Sequence, residues 1–517
     1  MGRPTAELDA SLALGLALLF GALSTLAHGP IHAWWFAPWC IGGWFLLIRT
    51  RRHWLNASLG FAYGVGWFTA GLWWVGTGMF TLTSAGAAGA VGLTLLLVMY
   101  LSCFPAIAGM LLGVVLSGTN PLLRWFLAAA GWTLIAWLRA TLFGGFPWMS
   151  VGTGQLTGPL SAWAPVGGCL LVEFTAILVA AALADLIAAI THSAWNSRPV
   201  TRPVLLIGGL MLVSMLVRVI EWTHPAGELT VRLVQGNLPQ REKFSAEGLR
   251  RASEVYGAAI ANSEARLTIL PETAFPMTWQ SLPAEFRRNI RRFGSERQTT
   301  IMLGSLVQER SGSLTNDLLL IRPTGTLAIE GEAGFDDLYV KRHLLLVGEY
   351  LPQSLTWLGR HLNIAYSSLT PGAGATHALA VDAARIAPTI CFESQFGSDN
   401  AMHARDANLF VNISNLSWFA GTWAIDEDLD VIRTRSLEAG RWTARVANSG
   451  ITAIVDERGA VVDELPQDVS ETLDGRVQLR TGLTPYDGAG DTPIIAICTA
   501  ALLAWAIRAI RPWFVRG

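Results

Sequence analysis

Charge is scarce in this sequence: 15% of its 517 residues are Asp, Glu, Lys or Arg, against about 25% in ordinary soluble domains. Between Trp54 and Leu123 there is no Asp, Glu, Lys or Arg at all. Neither sign is in excess, since 37 basic and 38 acidic side chains leave a net charge of −1. That excludes the basic surplus of a nucleic-acid binder, and no nucleic-acid partner is expected. Cysteine is also rare, five in the whole chain, which excludes a disulfide scaffold. Lysine is rarer still: Lys243 and Lys341 stand alone, so 35 of the 37 basic residues are Arg. What the chain has in quantity is apolar surface, with 52% hydrophobic residues, 22 Trp and a mean hydropathy of +0.41. Such a composition belongs to a protein that lives largely in lipid.

A membrane-crossing helix needs roughly 20 apolar residues. On that scale the sequence predicts eight spans, over residues 8–27, 33–49, 57–80, 87–116, 122–140, 163–190, 203–221 and 493–510, with a polar turn near Thr81–Ser84. Trp34, Trp35, Trp39, Trp54, Trp73, Trp74 and Trp148 fall near span ends, where amphipathic rings settle at the headgroup level. The basic residues of short loops (Arg49, Arg51, Arg52, Arg124, Arg198, Arg202, Arg508, Arg511 and Arg516) all fall on one side, together with Arg3. The positive-inside rule then puts both termini in the cytoplasm. The first apolar run lacks a clear small-residue cleavage site and reads as an anchor, not as a cleaved signal. Glu173, inside the sixth span, is costly in lipid and calls for a partner; Arg139 is the candidate.

Between residues 228 and 487 charges become frequent and apolar runs shorten to strand length. Strands are predicted at Leu229–Gln235, Arg266–Leu270, Thr300–Leu306, Asp317–Ile321, Arg385–Ile390, Leu409–Ile413 and Ile451–Asp456, with helices around Ala246–Ser263 and Pro283–Phe293. Strands alternating with helices predict an α/β domain large enough for its own core. The expected organisation is therefore a seven-helix membrane part over residues 1–227, an α/β domain over 228–487, and a last helix with a tail over 488–517. Seven spans precede the α/β domain, which puts it outside the cytoplasm.

Three residues of that domain could carry chemistry. Cys391 is its lone cysteine and follows the apolar run Ile386–Ile390. A thiol there is either a small buried hydrophobe or a nucleophile presented at a strand end. Lys341 is one of two lysines; codon bias toward Arg accounts for the general scarcity. A surviving Lys nevertheless marks a place where a compact, tunable ammonium serves and a broad guanidinium does not. The same reasoning applies less forcefully to Lys243, in a polar stretch. Glu272 lies in Leu270-Pro-Glu-Thr-Ala-Phe-Pro276, a stiff segment in which partial desolvation would suit a general base; the plainer reading is a surface turn. Together they supply nucleophile, base and oxyanion cation. The nine His show no paired-ligand spacing and no Gly-rich phosphate loop follows a strand, so no metal and no cofactor are expected.

The Pro271-Glu-Thr273, Lys341-Arg-His343 and Cys391-Phe-Glu393 segments resemble the Glu-Lys-Cys triad of the carbon–nitrogen hydrolase (nitrilase-like) superfamily. With the membrane frame, the whole chain is similar to the bacterial apolipoprotein N-acyltransferases. Further matching pieces are Gly60-Phe-Ala-Tyr-Gly64, Trp137-Leu-Arg139, Gly145-Phe-Pro-Trp148, Val234-Gln-Gly-Asn237, Asn412-Ile-Ser-Asn415, Trp418-Phe419 and Leu437-Glu-Ala-Gly-Arg441. The resemblance implies an α-β-β-α sandwich outside the cytoplasm and an inner-membrane location. It implies that Cys391 takes an acyl chain from a phospholipid, phosphatidylethanolamine being the expected donor. A diacylated apolipoprotein would be the acceptor, and the enzyme would work as a monomer in membrane lipid. Glu272 would be the base and Lys341 the oxyanion cation, with a backbone N–H beside Cys391, at Phe392, as a second donor. Glu349 matches the family's second glutamate, and Phe244, Glu393, Trp418 and Glu438 match positions tied there to substrate binding or entry. The sequence departs from the family pattern at Leu416 (for Asp), Phe244 (for Trp) and Ala136 (for Glu), and Ala424–Asp430 lacks a histidine. Two other readings remain open at this point: a membrane-anchored amidase using the same triad on a small amide, and a transporter or scaffold whose α/β domain only binds ligand.

Overall fold

In the computed structural model of the protein, residues 9–514 are described apart from 50, 51, 83–85, 119, 192–197, 244, 324–333, 347, 352–355, 363–367 and 374–376. Phe244 and the flanking Arg3, Arg51 and Arg516 therefore lie outside the described residues, as does part of the Thr81–Ser84 turn. The chain divides into two units, one of residues 1–76, 88–220 and 489–517, the other of residues 77–87 and 221–488.

The first unit is helical. Among the described residues, six of its helices are long and apolar enough to cross a membrane: Ala10–Ala27, Gly86–Leu116, Pro121–Gly144, Pro159–Thr191, Val200–Arg218 and Thr492–Ala509. The predicted second span is a shorter helix, Phe36–Ile48. The predicted third starts earlier and stops earlier than expected, over His53–Gly71, because the helix ends at Gly71; Val75–Leu82 forms a separate helix. Leucines face outward, among them Leu96 at 67% and Leu205 at 68% exposure, as lipid-facing side chains do. Inward, glycines set the spacing. A Cβ on Gly60 would come within 2.0 Å of the Pro105 carbonyl oxygen, and one on Gly66 within 2.0 Å of that of Leu18. Small residues here let helix backbones touch, which is how helices associate where there is no water to drive them together.

The carboxylates Asp185 and Glu173 of this unit find internal partners, as burial away from water requires. Asp185 accepts from Arg49 at 2.9 Å, from Trp125 Nε1 at 2.7 Å and from Arg124. Glu173 accepts from Trp132 Nε1 and Ser150 Oγ, each at 2.7 Å. Arg139 is not its partner: that guanidinium donates to the carbonyls of Phe146 and Trp148, at 2.9 and 2.5 Å. The expected Arg139–Glu173 ion pair is thus corrected. Two neutral donors satisfy the carboxylate, and the arginine instead ties down the segment that follows its own helix.

The second unit contains twelve strands among its described residues: β1 (His224–Gln235), β2 (Leu267–Ile269), β3 (Thr300–Gln308), β4 (Leu314–Ile321), β5 (Asp337–Val340), β6 (Leu379–Val381), β7 (Ala384–Ile390), β8 (Leu409–Ser414), β9 (Thr443–Ala447), β10 (Ala453–Val455), β11 (Val461–Glu464) and β12 (Glu471–Thr481). They form two six-stranded sheets, ordered β12-β1-β2-β3-β4-β5 and β11-β10-β9-β8-β7-β6. Strands β1–β2–β3 run parallel, as do β7–β8–β9. Alternation decides which residues face where. Leu229, Val231 and Leu233 of β1 meet Ile386 and Ile390 of β7 and Val411 of β8 in one core between the sheets. The other face of the first sheet (Val234, Leu303, Leu319) packs against helices Ala246–Ala261 and Ala284–Arg297. Beyond the second sheet lie helices Gly397–Ala404 and Ala424–Ala439. The order of layers is α-β-β-α, and the carboxyl ends of β2, β7 and β8 carry Glu272, Cys391 and Asn415.

Candidate active site

Each reactive side chain sits just past a strand. Cys391 directly follows β7 and opens a short 3₁₀ turn, Cys391–Gln395. Its φ is +53°, a left-handed conformation that a residue with a Cβ adopts only when its surroundings impose it. Lys341 directly follows β5, and its backbone N–H is fixed by the Asn316 carbonyl at 2.9 Å. Glu272 lies in the turn after β2. That turn is strapped to β3 by bonds from Gly304 N–H to Pro271 O, 3.2 Å, and from Ala274 N–H to Gly304 O, 2.9 Å. Gly304 has to be glycine here, because a Cβ would come within 2.6 Å of Glu272 Cα.

Glu272, Lys341 and Cys391 line one cavity with Glu349, Asn316 and Asn415; Leu306, Leu345, Leu369, Trp418 and Phe419 supply apolar wall. Lys341 Nζ donates to Glu272 Oε1 at 3.0 Å and to Glu349 Oε1 at 2.9 Å. The amide of Asn316, in β4, repeats the pattern at 2.8 Å to each of the same two oxygens. Two carboxylates thus share one ammonium and one amide. Their remaining oxygens are held by backbone: Glu272 Oε2 by Asn415 N–H, 3.0 Å, and Glu349 Oε2 by Leu345 N–H, 2.8 Å.

Electrostatics follow from this packing. Burial pushes the Cys391 thiol up to about 12, and the Glu272 charge pushes the same way, against the smaller pull of Lys341. Burial also works against a charged Lys341, but Glu272 and Glu349 together outweigh it and hold the ammonium well above its ordinary range. The resting site is therefore a protonated thiol beside a carboxylate and a permanent cation. Such a thiol becomes a nucleophile only when a base takes its proton during attack.

The structure brings Glu272, Lys341, Cys391, Glu349 and Trp418 to one cavity, and it places Glu393, Glu438 and Phe392 outside that lining. Glu393 is buried and turned away: it accepts from Tyr339 OH (2.9 Å) and from the N–H groups of Arg342 (2.6 Å) and Ile390 (2.8 Å), fastening the segment after Lys341 to the end of β7. Burial raises its pKa, opposed by those N–H donors. Glu438, buried in helix Ala424–Ala439, pairs with Arg435 at 3.0 Å. Neither lines the cavity, because the carboxylates are consumed by fold contacts. Phe392 is buried with its ring edge-on to Phe396, 5.3 Å between centroids. Leu416, where the family pattern has Asp, is core, packed with Ile425, Leu429 and Ile451. Sequence reasoning missed Asn316 and Asn415. The signal for the first was Thr315-Asn-Asp317, three polar residues side by side ahead of the apolar run Leu318–Ile321. Among the described residues no three His, Cys, Asp or Glu side chains are grouped as metal ligands.

Comparison with known proteins gives two adjoining matches. Residues 20–182 match the apolipoprotein N-acyltransferase N-terminal domain, and residues 230–484 match carbon–nitrogen hydrolase. The apolipoprotein N-acyltransferase of Ralstonia nicotianae is 32% identical over 95% of this chain and 92% of its own. That of Chromobacterium violaceum is 32% identical over 94% of this chain and 92% of its own. That of Nitrosomonas europaea is also 32% identical, over 89% of this chain and 90% of its own.

Proposed function

Because this chain belongs to the apolipoprotein N-acyltransferase family, a bacterial membrane enzyme with a carbon–nitrogen hydrolase domain, we propose how its own residues perform the transfer. Glu272 removes the thiol proton as Cys391 Sγ attacks the ester carbonyl carbon of a phospholipid. The oxyanion forms beside Lys341 Nζ. Collapse breaks the carbon–oxygen bond, Glu272 returns the proton to the leaving lysophospholipid oxygen, and a thioester remains on Cys391. The amine of a diacylglyceryl-cysteine lipoprotein then attacks that thioester and gives its proton to Glu272. Expulsion of sulfur yields the amide, and the proton goes back to Cys391. Glu349 and Asn316 hold Lys341 and Glu272 in register throughout, and Trp418 with Phe419 walls the acyl chain.

The observation that carries this reading is the ammonium of Lys341 bridging Glu272 and Glu349 in a cavity that holds Cys391 and is walled by apolar side chains. Apolar walls favour a thioester that waits for an amine over one that meets water, and so favour transfer over a simple amidase reaction. The donor we propose is phosphatidylethanolamine, with a monomeric enzyme. Intact-mass spectrometry after incubation with that lipid should show one acyl chain on Cys391, lost on adding a diacylated lipopeptide and absent from Cys391→Ala. Release of free fatty acid with no acylated peptide would instead make the protein a hydrolase.

The domain plan we propose keeps residues 1–227 and 488–517 as the membrane part and 228–487 as the periplasmic catalytic domain of an inner-membrane protein with both termini in the cytoplasm. It is supported by the convergence of Arg49 and Arg124, two of the basic loop residues assigned to one side, on the single carboxylate of Asp185. A phosphatase reporter fused after Asp487 should be active and a cytoplasmic reporter at the same place silent; the reverse would overturn the orientation.

A further inference from the structure

The second lysine is left over. Lys243 closes a one-turn helix, Gln240–Lys243, after β1, and its side chain is 1% exposed. A buried ammonium is retained only where something holds it, yet among the described residues its one hydrogen bond is to the backbone carbonyl of Glu272, at 3.3 Å. That carbonyl in turn accepts from no backbone N–H among the described residues. The two unsatisfied groups meet at the peptide between Glu272 and Thr273. Thr273 has a φ of +49°, a left-handed conformation that a residue with a Cβ keeps only where its surroundings fix it.

Charge points the same way. Glu272 and Glu349 are two carboxylates around one ammonium, Lys341. With Lys341 alone the buried group carries an uncompensated negative charge; a charged Lys243 brings it to neutrality. Burial lowers the pKa of Lys243 to about 8, and the nearby Glu272 charge opposes that fall and favours the ammonium. Both lysines of an otherwise arginine-only chain thus bracket one glutamate, one on its carboxylate and one on its backbone.

We propose that Lys243 is a positioning residue for Glu272, fixing the turn that aims the carboxylate at Cys391 and supplying the second positive charge of the buried site. This rests on the reading of Glu272 as the base. It makes no contact with substrate, and its loss acts through Glu272.

The test uses full-length protein in detergent and two readouts. Alkylation of Cys391 by iodoacetamide, followed at the peptide level by mass spectrometry, reports the base-assisted thiol without any lipid. Acylation of Cys391 from phosphatidylethanolamine vesicles reports the reaction itself. Lys243→Met is expected to slow both by roughly tenfold to a hundredfold, the scale of a misplaced catalytic group. The melting temperature should fall, since the Glu272 carbonyl and the site's second negative charge lose their partner, and Lys243→Arg separates that cost from the effect on rate. Lys243→Arg, which keeps charge and donor, should recover part of the alkylation rate. Rates within twofold of the unaltered protein, or a loss in Lys243→Met that comes with a lowered melting temperature and no recovery in Lys243→Arg, would overturn the assignment. If the unaltered protein alkylates rapidly but takes no acyl chain, the acyl-transfer reading fails, and the role of Lys243 is still decided by alkylation.

Discussion

Glu272→Gln is expected to slow acylation of Cys391 by roughly 10²–10⁴, the loss that follows removal of a general base, and to change the pH dependence of what remains. The substitution keeps the shape of the side chain. An amide oxygen still accepts from Lys341 and Asn316, and the amide nitrogen then faces the Asn415 N–H, a donor against a donor that costs about 1–3 kcal/mol. The fold should survive that. The thiol is the deciding group. It is pushed to about 12 mainly by burial and secondly by the Glu272 charge. Removing the charge removes the second cause and leaves the first, so the thiol of the variant still titrates far above neutrality. With no base, attack proceeds only through the small thiolate fraction, which grows tenfold for each pH unit below the thiol's pKa. The rate of the variant should therefore climb about tenfold per unit from roughly pH 6 to pH 9. The unaltered enzyme, whose base takes the proton during attack, should vary much less over that range. Single-turnover acylation rates at several pH values measure both. Parallel profiles of similar height would remove Glu272 from the role of base.

How much of this was legible in the sequence depends on whether a residue's task is local. Cys391, Glu272 and Lys341 could be singled out because each combines an unusual residue with the end of an apolar run: a lone thiol, a carboxylate among prolines, a rare lysine. The membrane helices were legible from length and hydropathy, although the break at Gly71 shortened the third. Seven of the twelve strands could be read from apolar runs; β5, β6, β9, β11 and β12 could not, β9 and β12 for opposite reasons. Buried β9 carries Arg445 in its middle, paired with Asp428 at 2.6 Å and fully enclosed, so its apolar run looks broken. Along β12 Leu473, Val477 and Leu479 point inward between Glu, Asp, Gln and Arg, and the charged half of the alternation hides the strand. Asn316 depends on register. Its neighbours across the sheet are Leu306 on β3 and, one residue on, Val340 on β5 beside Asp317, pairings no local pattern reveals. Glu393 and Glu438 lie outside the cavity lining for a reason the sequence does not carry. A glutamate that fastens two loops and one that grips substrate are the same letter, and only the donors around it separate them.

Lys341→Met with Glu349 intact is the variant expected to damage both stability and rate, and adding Glu349→Gln should separate the two. Lys341 is 1% exposed and the carboxylates it joins are 3.0 and 2.9 Å away. Taking the ammonium out leaves two buried carboxylates facing each other across the single amide of Asn316. Breaking a buried pair from one side costs about 3–5 kcal/mol, because a charge is left without compensation. The melting temperature should fall markedly. The rate should fall as well, by roughly 10²–10³ for the lost oxyanion donor. In Lys341→Met/Glu349→Gln one negative charge is gone, and the new amide can donate to Glu272 in place of the missing ammonium. The melting temperature should recover most of its loss. The rate should not, because nothing positive then stands where the oxyanion develops. Glu349→Gln alone should be the mildest of the three, since Lys341 keeps Glu272 as its counterion. Melting curves and single-turnover rates for these three variants beside the unaltered protein make the comparison. A double variant that regained its rate along with its stability would mean that Lys341 serves only to neutralise the two glutamates, and that the oxyanion is held by backbone N–H groups alone.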